Sequence, residues 1–105
     1  MKMMLLTKKN IKDLPAIGST DGQGGDAVAV VKFFDPTGSW TWYATEYDAA
    51  TGEFFGLVDG HEKELGYFQL EELASFRGRF GLGIERDRYF TPKPLREIAP
   101  EKYDS

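Results

Sequence analysis

Apolar and polar positions follow one period near the N-terminus, a second through the middle of the chain, and the first again after residue 69. Leu6, Ile11 and Leu14 fall on one side of a short helix that Thr7 caps and Pro15 ends, because proline disfavours helical geometry in the residue before it. Residues 27–34 form a valine-rich apolar run broken only by Lys32, which reads as a strand on length and β-branching. The run stops at Asp35-Pro36-Thr37-Gly38, a turn with proline at its second position. Residues 39–47 then alternate. Trp40, Trp42, Ala44 and Glu46 share one face, and Thr41, Tyr43, Thr45 and Tyr47 the other. The two tryptophans beside Ala44 mark the first face as core, which leaves Tyr43 and Tyr47 partly exposed. Turn residues near Gly52 and at Asp59-Gly60 delimit strands over 54–58 and 62–68.

Short turns between successive strands predict an antiparallel meander. From residue 69 the period returns to three, with Leu70, Leu73 and Phe76 on one side of a two-turn helix closed by Gly78 and Gly81. Residues 84–90 supply a fifth short strand, and Thr91-Pro92-Lys93-Pro94 forces an extended path before residues 95–98 pack back. The expected fold is α+β: a single domain built on an antiparallel meander of four to five strands, with short helices packed on one face.

Length agrees with this reading. A chain of 105 residues and 11.8 kDa buries roughly 65% of its unfolded surface, enough for one core without covalent staples. One domain is therefore expected over residues 1–105, with residues 18–26 a flexible glycine-rich connector and residues 99–105 a loose tail. The connector superficially resembles a phosphate-binding loop. It lacks the closing Gly-Lys-Ser/Thr, and no strand precedes it. The absence of cysteine removes disulfides, thiolate nucleophiles and thiolate metal sites. No apolar run approaches the 18 residues of a membrane span. The apolar start, Met1 to Leu6, halts at Thr7-Lys8-Lys9, too short for a secretory core. An unprocessed cytoplasmic protein is expected.

The net charge of −4 is unevenly placed. Residues 43–72 carry Glu46, Asp48, Glu53, Asp59, Glu62, Glu64, Glu71 and Glu72 against Lys63 alone, while both ends are weakly basic. Such a middle repels phosphate, so nucleic acid is a poor partner for it. His61, the single histidine, stands between carboxylates in Asp59-Gly60-His61-Glu62 and is the one candidate general base. An enzyme reading would use it with Glu46, Asp59, Glu62 or Glu64 in hydrolysis or metal binding, with Glu46 reaching Glu62 or Glu64 across the sheet. One histidine without cysteine builds no ordinary zinc site, and neither a metal nor another cofactor is expected.

The stronger candidate is a recognition surface of exposed rings beside acids, formed by Tyr43, Glu46, Tyr47, Glu62 and Glu64, since large amphipathic rings dominate interface energetics. It predicts a non-enzymatic interaction or regulatory module with a protein partner, basic on electrostatic grounds. Nucleic-acid mimicry is a variant of this reading. A third reading is nucleic-acid binding through Arg77, Arg79, Arg86 and Arg88, which requires the four to share one exposed face. An exposed edge strand would also allow a homodimer.

Several of these segments together resemble the domain of unknown function 2958 family: residues 26–34, Trp40-Thr41-Trp42-Tyr43, Phe55-Gly56-Leu57-Val58, Glu64-Leu65-Gly66-Tyr67-Phe68, and Ile84-Glu85-Arg86-Asp87 with Tyr89, Phe90 and Pro92. The resemblance spans nearly the whole chain, with Gly22 to Gly25 the part that departs from it. It implies a small bacterial or phage-type protein, often carried on mobile elements. It carries no established activity and no catalytic residues.

Overall fold

A computed structural model describes residues 5–103. Strand β1 (Val28–Ala29) is followed by β2 (Val31–Phe34), β3 (Thr41–Asp48), β4 (Glu53–Asp59), β5 (Lys63–Gln69), β6 (Glu85–Arg86) and β7 (Lys93–Pro94). Helix α1 (Lys8–Asp13) precedes them, α2 (Leu70–Ser75) follows β5, and α3 (Leu95–Ile98) and α4 (Pro100–Tyr103) end the described chain. The main sheet is antiparallel with strand order β5-β4-β3-β2-β6, and β1 pairs with β7 in a separate two-stranded ribbon. This is the expected α+β meander. The apolar run over 27–34 serves both sheets because it breaks at Val30, whose N–H donates to Ala44 O at 2.8 Å. No helix among the described residues is long and apolar enough to cross a membrane.

Local chemistry explains the elements. Thr7 caps α1 through a reciprocal box, its hydroxyl accepting from Asn10 N–H while its own N–H donates to Asn10 Oδ1. Gly52 takes the left-handed conformation (φ 76°) that turns β3 into β4. One sheet face packs around Phe54, against the rings of Phe33 (5.4 Å), Tyr47 (4.5 Å) and Phe68 (5.0 Å), with Leu5, Leu6, Leu14, Leu73 and Ile84 closing over them. Burying each such aromatic side chain contributes about 2 kcal/mol from area alone. The other face has a smaller core, in which Leu57 and Tyr43 meet Ala27, Ala29, Leu95 and Ala99. Helices α1 and α2 therefore cover one face as expected, and α3 and α4 add a partial cover on the other.

The alternation along β3 holds only as far as Ala44. There the pairing with β4 slips: Ala44 opposes Gly56 and Glu46 opposes Phe55, leaving Thr45 as the extra residue of a β-bulge. Thr45 is buried and donates its hydroxyl to Phe55 O at 3.1 Å. The bulge exchanges the faces of everything after it. Tyr47, expected outside, enters the main core, and Glu46, expected on the tryptophan face, goes to the opposite one. A Cβ at Gly56 would lie 1.9 Å from Tyr43 O, so this close crossing requires glycine.

Residues 18–26, expected as a flexible connector, form a succession of hydrogen-bonded turns ending in a 3₁₀ turn at Gly24–Asp26. The tail through Tyr103 is packed rather than loose. Ala99 is fully buried, Lys63 Nζ reaches Glu101 at 2.5 Å, and Arg96 reaches Asp26 at 2.9 Å. Met1 to Met4 of the apolar start, and Asp104 and Ser105 of the tail, lie outside the described residues.

Candidate binding groove

Trp42, Val58 and Glu64 occupy one register across β3, β4 and β5, on the main-core face. The next register inward is Ala44, Gly56 and Gly66, and beyond it the bulky rings resume with Phe54 and Phe68. Near Trp42 and Val58 a trough lies between this face and the elements that cover it. Helix α2 and the segment leading to β6 border it without filling it. The result is an open groove of about 510 Å³, lined by Trp40, Trp42, Val58, Phe68, Leu73 and Phe76, with Asp35 and Glu72 among its polar members. A second hollow of about 440 Å³ shares Trp40 and Val58 and adds His61, Glu62 and Glu64.

The turn that ends β2 sets the aromatic wall. Asp35 Oδ1 accepts from Thr37 N–H at 2.9 Å, and Asp35 N–H donates to Trp40 O at 3.0 Å, which fixes the entry to β3. Trp40 then lies over Gly60, where a Cβ would come within 2.5 Å of the ring. Its ring stands 6.1 Å from Trp42 and 5.5 Å, edge-on, from His61. Trp40 is 38% exposed, a large apolar surface offered to solvent at the junction of the two hollows.

Among the described residues, the carboxylates of Glu62, Glu64 and Glu72 make no hydrogen bond or ion pair, and neither hollow is lined by lysine or arginine. The groove thus joins an apolar floor to an uncompensated negative rim. Chemically it suits a cationic segment that also carries an apolar anchor.

The residues singled out from the sequence divide. Glu62 and Glu64 stand exposed at the groove, beside His61. Asp59 is half-buried at the end of β4 and pairs in register with Lys63. Tyr43 is half-buried on the opposite face, 5.9 Å from Phe90 and beneath Lys32 Nζ at 5.8 Å. Tyr47 is buried against Phe54, and burial, assisted by the charge of Asp48, raises its phenol above the ordinary value. Glu46 is 1% exposed, so it presents nothing to a partner. Its carboxylate accepts Gly18 N–H at 2.7 Å, Thr20 N–H at 2.8 Å and the Thr20 hydroxyl. The surface imagined around Tyr43, Glu46 and Tyr47 is therefore not assembled, because the bulge turns two of the three inward.

Of the acid–base candidates, Glu62 and Glu64 share a hollow with His61, with no hydrogen bond between them and the imidazole. Glu46 and Glu64 lie on opposite faces and form no carboxylate pair. His61 makes no hydrogen bond among the described residues and meets a tryptophan ring instead. No group of three or more histidine or carboxylate side chains among those residues is placed to hold a metal ion.

The arginines are dispersed. Arg77 folds over the end of α2, donating to Ala74 O and Phe76 O, while Arg86 is half-buried and donates to Leu5 O at 3.0 Å. Arg79 and Arg88 remain exposed. Asp87 pairs with Lys32 at 3.6 Å rather than with an arginine. A single exposed face of four arginines is not present.

Sequence reasoning assigned Trp40 and Trp42 to the core and did not single out Asp35, Glu72 or Phe76. One signal was available: Trp40 comes two residues after the end of a proline turn, immediately before strand β3. Residues 5–99 match the family described as "Protein of unknown function (DUF2958)". No curated protein and no solved structure matches the chain.

Proposed function

The chain belongs to the DUF2958 family, whose description assigns no function, and on that premise we propose that it is a non-enzymatic protein-interaction module. Its groove takes a segment of a partner protein that is basic and carries an aromatic or aliphatic anchor. The observation that carries this reading is the union of exposed Trp40, an open trough of about 510 Å³, and the unpaired carboxylates of Glu62, Glu64 and Glu72. Apolar anchors in such a trough supply affinity, while the unpaired rim supplies attraction and orientation that weaken with salt. The acidic middle of the chain favours a basic partner, and a regulatory role on a mobile element, inside the cell, is part of this proposal.

A peptide array tests this directly. Peptides that combine two or more lysines or arginines with an aromatic residue should bind in preference to acidic or purely polar ones. Changing Glu62 and Glu64 to lysine together should reverse the charge preference. Equal binding of acidic and basic peptides would remove the reading.

A further inference from the structure

Strand β5 forms one edge of the main sheet, and its seven residues have no backbone partner on the side away from β4 among the described residues. An edge of this length is a template for another strand unless it is guarded, and lysine is the usual guard. Lys63, the single lysine of β5, is engaged with Glu101. Two apolar side chains stand on the edge's outer face instead. Leu65 is 42% and Tyr67 is 62% exposed, and Tyr67 extends a ring contact from Phe55 at 4.9 Å.

We infer that β5 pairs antiparallel with β5 of a second copy about a two-fold axis at Gly66, joining the two sheets into one. The sequence of the strand carries this choice of partner. Antiparallel neighbours point to the same face, so a continuous sheet requires matched positions of equal parity. Of the registers that satisfy this, the one centred on Gly66 is the one that engages all seven residues. It sets Leu65 against Tyr67 of the second copy, Lys63 against Gln69 and Glu64 against Phe68, so no like charges oppose one another. At the axis itself each chain contributes a glycine with open space where a side chain would be. Tyr67 and Phe68 also line the groove and Glu64 the hollow beside it, so the two readings share residues; cross-linking and sedimentation decide the dimer, and peptide binding decides the groove.

The absence of cysteine makes a clean test possible. Residues facing each other across an antiparallel pair have Cα atoms about 4.5–5.5 Å apart, within the range a disulfide spans. Under mild oxidation with copper phenanthroline, G66C should give a near-complete covalent dimer. L65C and Y67C should each cross-link poorly alone and well when mixed. S39C, exposed and placed in the turn between β2 and β3 rather than on β5, sets the collisional background. Sedimentation equilibrium of the unmodified chain should show a concentration-dependent approach to twice 11.8 kDa. A monomer at all concentrations with G66C at the S39C background would overturn the inference. So would a dimer in which G66C fails to cross-link, since association would then use another surface.

Discussion

The carboxylate of Glu46, buried on β3, accepts the backbone N–H of Gly18 at 2.7 Å and so ties the glycine-rich turns to the middle of the sheet. Its second oxygen takes Thr20 N–H and the Thr20 hydroxyl. One side chain thereby organises a segment that contributes few apolar contacts of its own. Glu46→Ala should cost about 3 kcal/mol, because buried donors lose a charged acceptor. Glu46→Gln should cost less, roughly 1–2 kcal/mol, since one oxygen survives as an acceptor. Urea unfolding measures both, and amide exchange at Gly18 and Thr20 should accelerate in each variant. Unchanged stability in Glu46→Ala would mean the turns hold themselves.

The bulge makes a paired prediction on two glycines of the same register. Gly56→Ala places a methyl 1.9 Å from Tyr43 O and should destabilise by about 3 kcal/mol, at the upper end of overpacking costs. Gly66→Ala meets open space at ordinary backbone angles and should be neutral or stabilising by up to about 1 kcal/mol. Comparable losses in both variants would contradict the register assigned to β3 and β4.

How much of this was legible in the sequence follows from the range of the interactions involved. The Asp35–Gly38 turn, the Thr7 cap and the reversal at Gly52 rest on residues within four positions of one another, and all were readable. The face of Tyr47 was not. Thr45 is an ordinary strand residue, and only its pairing with β4 makes it a bulge. Glu46 looked like a surface acid because the groups that satisfy it lie 26 and 28 residues away. The acids Glu62 and Glu64 were found by composition, whereas their aromatic neighbours were assigned to the core. Trp40 does satisfy a strand pattern, but it stands immediately before β3 and is exposed.

Alkaline stability should report on the buried phenols. Burial raises Tyr47, with the Asp48 charge adding to the effect, and burial raises Tyr103. A phenol whose folded-state value exceeds the ordinary one near 10 keeps its proton in the folded chain after the unfolded chain has lost it. Its contribution is therefore complete below about pH 10 and is lost as pH rises through the raised folded value. Replacing both tyrosines with phenylalanine should flatten the fall in melting temperature above pH 10. An undiminished fall would assign the alkaline transition to other groups.

Tyr103 offers a separate test at neutral pH. Its hydroxyl is buried without a hydrogen-bond partner among the described residues, while its ring packs within 3.0 Å of where a Cβ on Gly25 would stand. Removing an unsatisfied buried hydroxyl relieves a cost of about 1–3 kcal/mol, so Tyr103→Phe should raise stability. Tyr103→Ala should lower it, because the ring covers the second core. A loss in Tyr103→Phe would show that the hydroxyl is satisfied in solution.

The chain contains two tryptophans, and both line the groove. Intrinsic fluorescence is thus a local reporter, and titration with a short peptide rich in arginine and containing one phenylalanine tests the account most directly. Saturable change in tryptophan emission is expected, with binding by the unaltered chain weakening as salt is raised. Binding should be about tenfold or more weaker, with less dependence on salt, when Glu62, Glu64 and Glu72 are all changed to glutamine. Emission that does not respond to the basic peptide, or responds equally to its acidic counterpart, would contradict the proposed binding groove.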